Sequence, residues 1–378
     1  MTGTLLTGKS GNTYRLARQM AQGGEGCVYH IDGDDTIVAK IYLSDSKPER
    51  LAMQEKKLSA MVADKSFNPF CNGQLRFAWP MDLLYDRGTF VGFTMPYARN
   101  TYEFHEIIWP DRRKQFAAYD YHHSIAVAFN LAQAVQYVHD CGYVIGDMNI
   151  KNFRFDNECH VIVLDVDSFD VTDKLSGAHY KCCVGIPDYL APELQAVRDL
   201  SQSRAKFSKE SDYFSLAILI FQFLMEATHP FNAPRITTAD GYSSSATTNS
   251  MMEDIVNGSC PYVRSDTGKQ IPAYAPEFRM LPNSLQELFR RTFGYDQTSA
   301  MSSISGRATA QEFSRALYAF YSRTDKQVCP KNSTHVYLSR LSHCPFCKTP
   351  SKKRAAPTAG SKKQKKKGFL EKLADFFS

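Results

Sequence analysis

The chain has 378 residues, 43% of them apolar and 22% charged, enough to bury a sizeable core in one two-lobed domain with appendages. Met1 to Arg18 lacks the basic start and apolar run of a signal peptide, and the greasiest stretch, Leu216 to Met225, is too short to span a bilayer, so the expected compartment is the cytoplasm. The net charge of +6 is a tail property: residues 352–378 carry nine Lys or Arg against Glu371 and Asp375, which leaves a near-neutral body with no expected nucleic-acid-binding face.

The first hundred residues read as strands. Short apolar or alternating runs lie at Cys27–Ile31, Thr36–Tyr42, Gln74–Ala78 and Thr89–Met95, with turn signals at Asp32-Gly33-Asp34-Asp35 and Asp86-Arg87-Gly88. One helix, Glu49–Val62, interrupts them. From Tyr119 the pattern turns helical: Ser124–Cys141, closed by Gly142 as a C-terminal cap, then Ser211–Ala227, Met251–Asn257, Ser284–Thr292 and Thr309–Tyr321. Strands first and helices afterwards make an α+β architecture. Residues 232–250 are a polar Ser/Thr-rich loop, and residues 348–367 are a basic stretch without periodicity, expected to be disordered.

Three constellations carry chemistry. The turn Ala21-Gln22-Gly23-Gly24-Glu25-Gly26-Cys27-Val28 lets backbone N–H groups approach phosphate oxygens, although an ordinary hairpin has the same composition. Ile37-Val38-Ala39-Lys40 then places a lysine in an apolar strand, where it either snorkels at an edge or pairs with anions; Glu55 is its candidate partner and Glu49 a weaker one. The second constellation is Gly146-Asp147 with Asn152, followed by the strand Val161–Leu164 and Asp165-Val166-Asp167. One carboxylate there can accept a hydroxyl proton, while another, with a carboxamide oxygen, can ligate Mg²⁺. Acidic and Asn residues also populate turns without further purpose, but that reading accounts poorly for the ordered set.

Taken in order, these motifs resemble the protein-kinase superfamily: Gly23 and Gly26, Val38-Ala39-Lys40, Asp147 with Asn152, Asp165, and Ala191-Pro192-Glu193. Asp212 resembles the aspartate that braces the catalytic loop, and Arg307 the arginine that pairs with Glu193. The resemblance implies a β-rich N-lobe over 10–98 and a helical C-lobe over 99–322. It places nucleotide between them, held by Gly23, Gly24, Gly26, Val28, Lys40, Asn152 and Asp165, with Met95, Tyr97 and Ala98 along the adenine hinge and Met95 as gatekeeper. Asp147 would be the catalytic base, Lys40 the phosphate contact held by Glu55, and Asn152 and Asp165 the Mg²⁺ ligands, with Asp167 a further metal-facing carboxylate.

The departures are informative. Ala21 replaces the first loop glycine, Ile145-Gly146 stands where most members have His-Arg, Asn149 occupies the usual lysine position, and Asp165-Val166-Asp167-Ser168-Phe169 lacks a glycine. This combination resembles a bacterial subgroup associated with type 2C phosphatases and tellurite-resistance gene sets, so a protein substrate and such a phosphatase are the implied partners.

The third constellation is Cys329, His335, Cys344 and Cys347, four soft or borderline ligands within nineteen residues, which is the recipe of a closed structural zinc site over 323–348. A redox-active or incidental Cys-x-x-Cys is the competing reading, and His343 is a less favoured ligand. The other cysteines read as plain thiols. Residues 368–378 gather Phe369, Leu370, Leu373, Phe376 and Phe377 on one helical face behind the basic run 349–367. Such a tail suits an anionic membrane surface, a partner, a return onto the kinase body, or no role at all.

The expectation is an ATP-dependent kinase that phosphorylates Ser or Thr on a protein. Two rivals are a small-molecule kinase of the aminoglycoside-phosphotransferase type and a nucleotide-binding scaffold without turnover. Ala191-Pro192-Glu193 with Asp212 and Arg307 weighs against the former, and the set Lys40, Asp147, Asn152 and Asp165 against the latter.

Overall fold

Six strands close a barrel around a small apolar centre in this computed structural model, which describes residues 1–113, 116, 119–202, 204–234, 248–296 and 298–347. The strands are β1 (Leu5–Gly8), β2 (Thr13–Gln22), β3 (Gly26–Ile31), β4 (Asp34–Tyr42), β7 (Asp82–Asp86) and β8 (Thr89–Pro96), joined in the order β1-β2-β3-β4-β8-β7. Leu6, Leu16, Tyr29, Ile31, Ala39, Ile41 and Leu84 fill the centre. Because side chains alternate along a strand, Ala39 and Ile41 inside the barrel force Lys40 onto the opposite face. Register carries that face across the sheet: Val28 lies opposite Lys40, Lys40 opposite Phe93, and Val38 opposite Met95.

The barrel begins at Leu5, ahead of the boundary expected at residue 10, since β1 pairs with both β2 and β7. The polar β2, largely exposed, offered little alternating signal to read. The expected strand Gln74–Ala78 is instead a tight hairpin, β5 (Phe70–Cys71) with β6 (Gln74–Leu75), turned by Asn72 and Gly73 at positive φ. Phe77 then forms a parallel bridge to Val163.

Helix α1 (Pro48–Ala63) opens with proline in its first turn and lies against β7 and β8. Beyond the barrel, β9 (Tyr102–Glu103), β10 (Phe153–Phe155) and β11 (Val161–Val163) form a small sheet, with the single turn α2 (His105–Ile108) directly after β9. Helix α3 (Tyr121–Asp140) starts from an Asp120 cap and stops at Gly142, whose φ is +87°. The hairpin β12 (Val171–Thr172) and β13 (His179–Tyr180) is followed by α4 (Pro192–Gln195), α5 (Lys209–Leu224) and α6 (Thr248–Val256), and then by α7 (Asn283–Phe293) and α8 (Ala310–Ser322). Helix α5 is buried on nearly every side after its first turn, as its apolar sequence requires; α3 and α7 pack against it, and α8 packs on α3 and α7, in one continuous core.

The last pair, β14 (Lys326–Val328) and β15 (Val336–Leu338), carries the cysteine/histidine segment and sits against the helical body. Tyr121 donates its N–H to the Thr334 carbonyl at 3.0 Å, Phe346 packs on Tyr121, and Arg340 Nη2 donates to the carbonyls of Arg279 and Leu281. No helix among the described residues is long and apolar enough to cross a membrane. The basic stretch 349–367 and the amphipathic segment 368–378 lie outside the described residues, as does most of the loop expected at 232–250.

Candidate active site

The glycine-rich turn joins β2 to β3, and Gly23 N–H donates to the Gly26 carbonyl at 2.8 Å to close it. A side chain at Gly26 is excluded, because its Cβ would stand 2.5 Å from the Ile41 carbonyl oxygen. At the tip Glu25 pairs with Arg50 of α1, tying the turn to the helix. Along the hinge, Tyr97 N–H donates to the Thr36 carbonyl and its ring meets His30 edge-on, whereas the Ala98 N–H donates to no acceptor among the described residues.

Lys40 reaches across to two carboxylates. Its Nζ bonds Asp165 Oδ1 and, at 2.7 Å, Asp167 Oδ1. The second oxygen of Asp167 accepts from Tyr42 OH at 2.7 Å and from Gln54 Nε2 at 3.3 Å, and Gln54 also donates to the Asp167 carbonyl. Burial opposes the lysine charge, but the two carboxylates outweigh it and raise the pKa. Burial, followed by the charge of Asp167, lifts Asp165 to about 6. Asp167 is buried too, yet Lys40 and its hydrogen bonds hold it below the ordinary carboxylate range. Tyr42, pushed well above 10 chiefly by burial and then by Asp167, stays protonated and donates.

This arrangement corrects one expectation. Glu55 is not the partner of Lys40: it accepts from Tyr85 OH at 2.7 Å, on the β7 side of α1. Successive helical residues point about 100° apart, and it is Gln54 that faces the cleft. Asp167 takes the anchoring place, with Gln54 and Tyr42 behind it. Sequence reasoning missed both supporting residues, although Tyr42 stands two positions after Lys40 on the same strand and therefore on the same face.

The loop bearing Asp147 is held from within. Asn149 Nδ2 donates to Asp147 Oδ1 at 2.9 Å and Asn152 Nδ2 to Asp147 Oδ2 at 3.0 Å. Asn149 Oδ1 accepts from Lys151 N–H, so the residue at the lysine position braces the loop. Asp212, wholly buried on α5, accepts from the N–H groups of Ile145 and Gly146 at 2.7 and 2.9 Å and meets His139 Nε2 at 2.9 Å. Gly146 has φ +75°, and a Cβ there would stand 2.6 Å from Cys182 Sγ, so an arginine has no room. Leu164 N–H donates to the Asn152 carbonyl, joining this loop to the strand that delivers Asp165. Asn152 Oδ1 accepts no hydrogen bond among the described residues, and Asp165 itself sits in the left-handed region at φ 52°.

Farther down, Arg307 makes a two-pronged bond to Glu193, Nη1 to Oε1 at 2.7 Å and Nη2 to Oε2 at 2.6 Å, and also donates to the Glu210 carbonyl. In the cysteine/histidine segment the ligand atoms of Cys329, His335, Cys344 and Cys347 lie within 4.8 Å of one another. Cys329 Sγ and Cys347 Sγ are 3.7 Å apart, and His335 Nδ1 is 3.6 Å from Cys344 Sγ and 3.4 Å from Cys347 Sγ. A tetrahedral Zn²⁺ with Zn–S of about 2.3 Å and Zn–N of about 2.0–2.1 Å would give edges of about 3.8 and 3.5 Å, so the donor set fits that ion.

Residues 81–308, more than half of the chain, match the protein kinase domain. Over 345 residues the chain is 28% identical to the protein kinase YegI of Escherichia coli (strain K12), a match covering 89% of this chain and 49% of the relative. The corresponding protein of Escherichia coli O157:H7 is 29% identical over 92% of the chain and 50% of its own length. A cAMP-dependent protein kinase catalytic subunit-like protein of Caenorhabditis briggsae is 33% identical over 31% of the chain and 27% of that protein. The chain spans about half the length of the two bacterial relatives. It belongs to the protein kinase domain family.

Proposed function

We propose that the protein transfers the γ-phosphoryl group of ATP, in a Mg²⁺-dependent reaction, to Ser or Thr hydroxyls of a protein substrate. The observation that carries this reading is the joined pair of clusters: Lys40 held by Asp165 and Asp167 on one side, Asp147 held by Asn149 and Asn152 on the other, linked through Asn152 and Leu164. Asp147 accepts and orients the substrate hydroxyl. Lys40 contacts the phosphates and stays charged among its carboxylates. The Asn152 Oδ1 and Asp165 suit a hard cation, which would neutralise charge developing on the phosphates. Asp167 spends both oxygens on Lys40, Tyr42 and Gln54, so its part is to anchor the lysine rather than to bind metal. The Arg307–Glu193 clamp, which steadies the segment expected to receive a polypeptide, favours a protein acceptor. A type 2C phosphatase partner and a zinc held by Cys329, His335, Cys344 and Cys347 belong to the same proposal.

The test is transfer from labelled ATP to the purified protein and to a cytoplasmic extract, with Asp147→Asn as control. Mg²⁺-dependent label on Ser and Thr that the substitution abolishes supports the reading. Label confined to Tyr or to small molecules, or unaffected by Asp147→Asn, overturns it.

A further inference from the structure

Behind the cleft, between the β5–β6 hairpin and α3, lies a cavity of about 300 Å³ that none of the catalytic residues lines. Its polar groups include Arg76, Cys71, Asn72 and Gln133, and its apolar walls Phe77 and Tyr137. Arg76 is only 8% exposed. No carboxylate stands within ion-pair distance of its guanidinium among the described residues; Cys71 lines the same cavity. The nearest acidic influence, Asp156, is committed elsewhere, to His160 Nδ1 at 2.9 Å and to the N–H groups of Glu158 and His160. Burial accordingly disfavours the arginine charge, but a guanidinium does not give up its proton, so the cation stays.

A second polar group in the same wall is short of a partner. Gln133 gives its Nε2 to Ser314 Oγ, and its buried Oε1 has no hydrogen-bond partner among the described residues. A buried guanidinium without an anion and a buried carboxamide with spare capacity, sharing one cavity, are costly unless something satisfies them. Ordered water would serve the carboxamide; it does not neutralise the arginine. The volume is at the lower end of small-molecule sites and the aromatic walls suit a short apolar body.

We infer that this cavity binds a small organic anion, one carboxylate or phosphate head on a compact apolar body, with Arg76 as the residue that receives the head group. An amide-rich rim around a single cation and aromatic walls is matched to a ligand of that size and charge, and is too small for a nucleotide.

The experiment uses the full chain with its nucleotide site saturated by a non-hydrolysable ATP analogue. Phenyl phosphate and benzoate are the probes, and benzamide is the neutral control. Either anion should raise the melting temperature saturably and slow alkylation of Cys71, read peptide by peptide, severalfold; benzamide should do neither. Arg76→Met should weaken the anion by at least about tenfold, the loss expected when a charged hydrogen-bond partner is removed. Response to phenyl phosphate alone, or to benzoate alone, supports the inference and identifies the head group. Should Arg76→Met fail to fold, protection of Cys71 in the unsubstituted chain decides. No protection by either anion, equal protection by benzamide, or undiminished binding to a folded Arg76→Met protein overturns it.

Discussion

Replacing Asp167 by asparagine is the sharpest perturbation of the lysine anchor, because it preserves volume and removes only charge. Asp167 is 2% exposed and its Oδ1 lies 2.7 Å from Lys40 Nζ, so the lost contact is a charge-assisted bond in a desolvated setting. Such bonds contribute about 1.5–3 kcal/mol, which in kcat/KM is a loss of roughly 10- to 150-fold if the lysine must be held for transfer. Tyr42→Phe removes a hydrogen bond one step back and should cost less, about three- to tenfold. Glu55→Gln touches only the Tyr85 contact on the far side of α1 and should leave kcat/KM within about twofold. The assay is steady-state phosphotransfer with nucleotide affinity measured in parallel, and melting curves to show that each variant folds. A tenfold loss in Glu55→Gln together with near-normal Asp167→Asn would refute the anchor described here and restore the expectation drawn from sequence.

Arg307→Met should destabilise the protein by about 3–5 kcal/mol, since it strands Glu193 beside a buried site; the double change Arg307→Met with Glu193→Leu should cost less than the two single losses added, as a denaturant double-mutant cycle would show. His229 is buried, its Nε2 bonded to the Asp188 carbonyl and its Nδ1 accepting from Phe231 N–H, and burial pushes its pKa from 6.5 down to about 4. A depressed histidine stabilises the fold above its unfolded pKa, so unfolding free energy should fall by up to about 3 kcal/mol between pH 6.5 and 4, and His229→Gln should flatten that part of the profile. Metal analysis of protein purified without added zinc should find one zinc per chain, and Cys344→Ser should remove it; substoichiometric metal indifferent to that change would exclude the site. Because Asp170 already ties down His179 and the Cys182 N–H, and no arginine fits at Gly146, joint replacement of Thr172, Ser176 and Tyr180 should leave activity within a few-fold of wild type, measured on unphosphorylated protein.

Much of this protein was legible in one dimension. The alternation around Lys40 and the helical spacing from Tyr119 onward place side chains by local geometry alone, so β4, α3, α5, α7 and α8 fall close to where periodicity puts them. The order of Lys40, Asp147, Asn152, Asp165, Glu193, Asp212 and Arg307 was likewise readable, as was the clustering of Cys329, His335, Cys344 and Cys347, which short spacing and a hairpin bring together. The polar, exposed β2 and the short strand β1 were not, because a barrel closes through pairings distant in sequence that leave little hydrophobic signature on the strands they recruit. Nor could spacing decide which side chain of α1 meets Lys40. Gln54 and Glu55 are neighbours in the chain but about 100° apart on the helix, and the rotation of α1 is set by how Leu58 and Met61 pack into the core. That rotation turned Glu55 toward Tyr85 and left Asp167 to hold the lysine. The cavity beside Arg76 has the same origin: it exists only because tertiary packing brings α3 against the hairpin and buries most of the arginine between them.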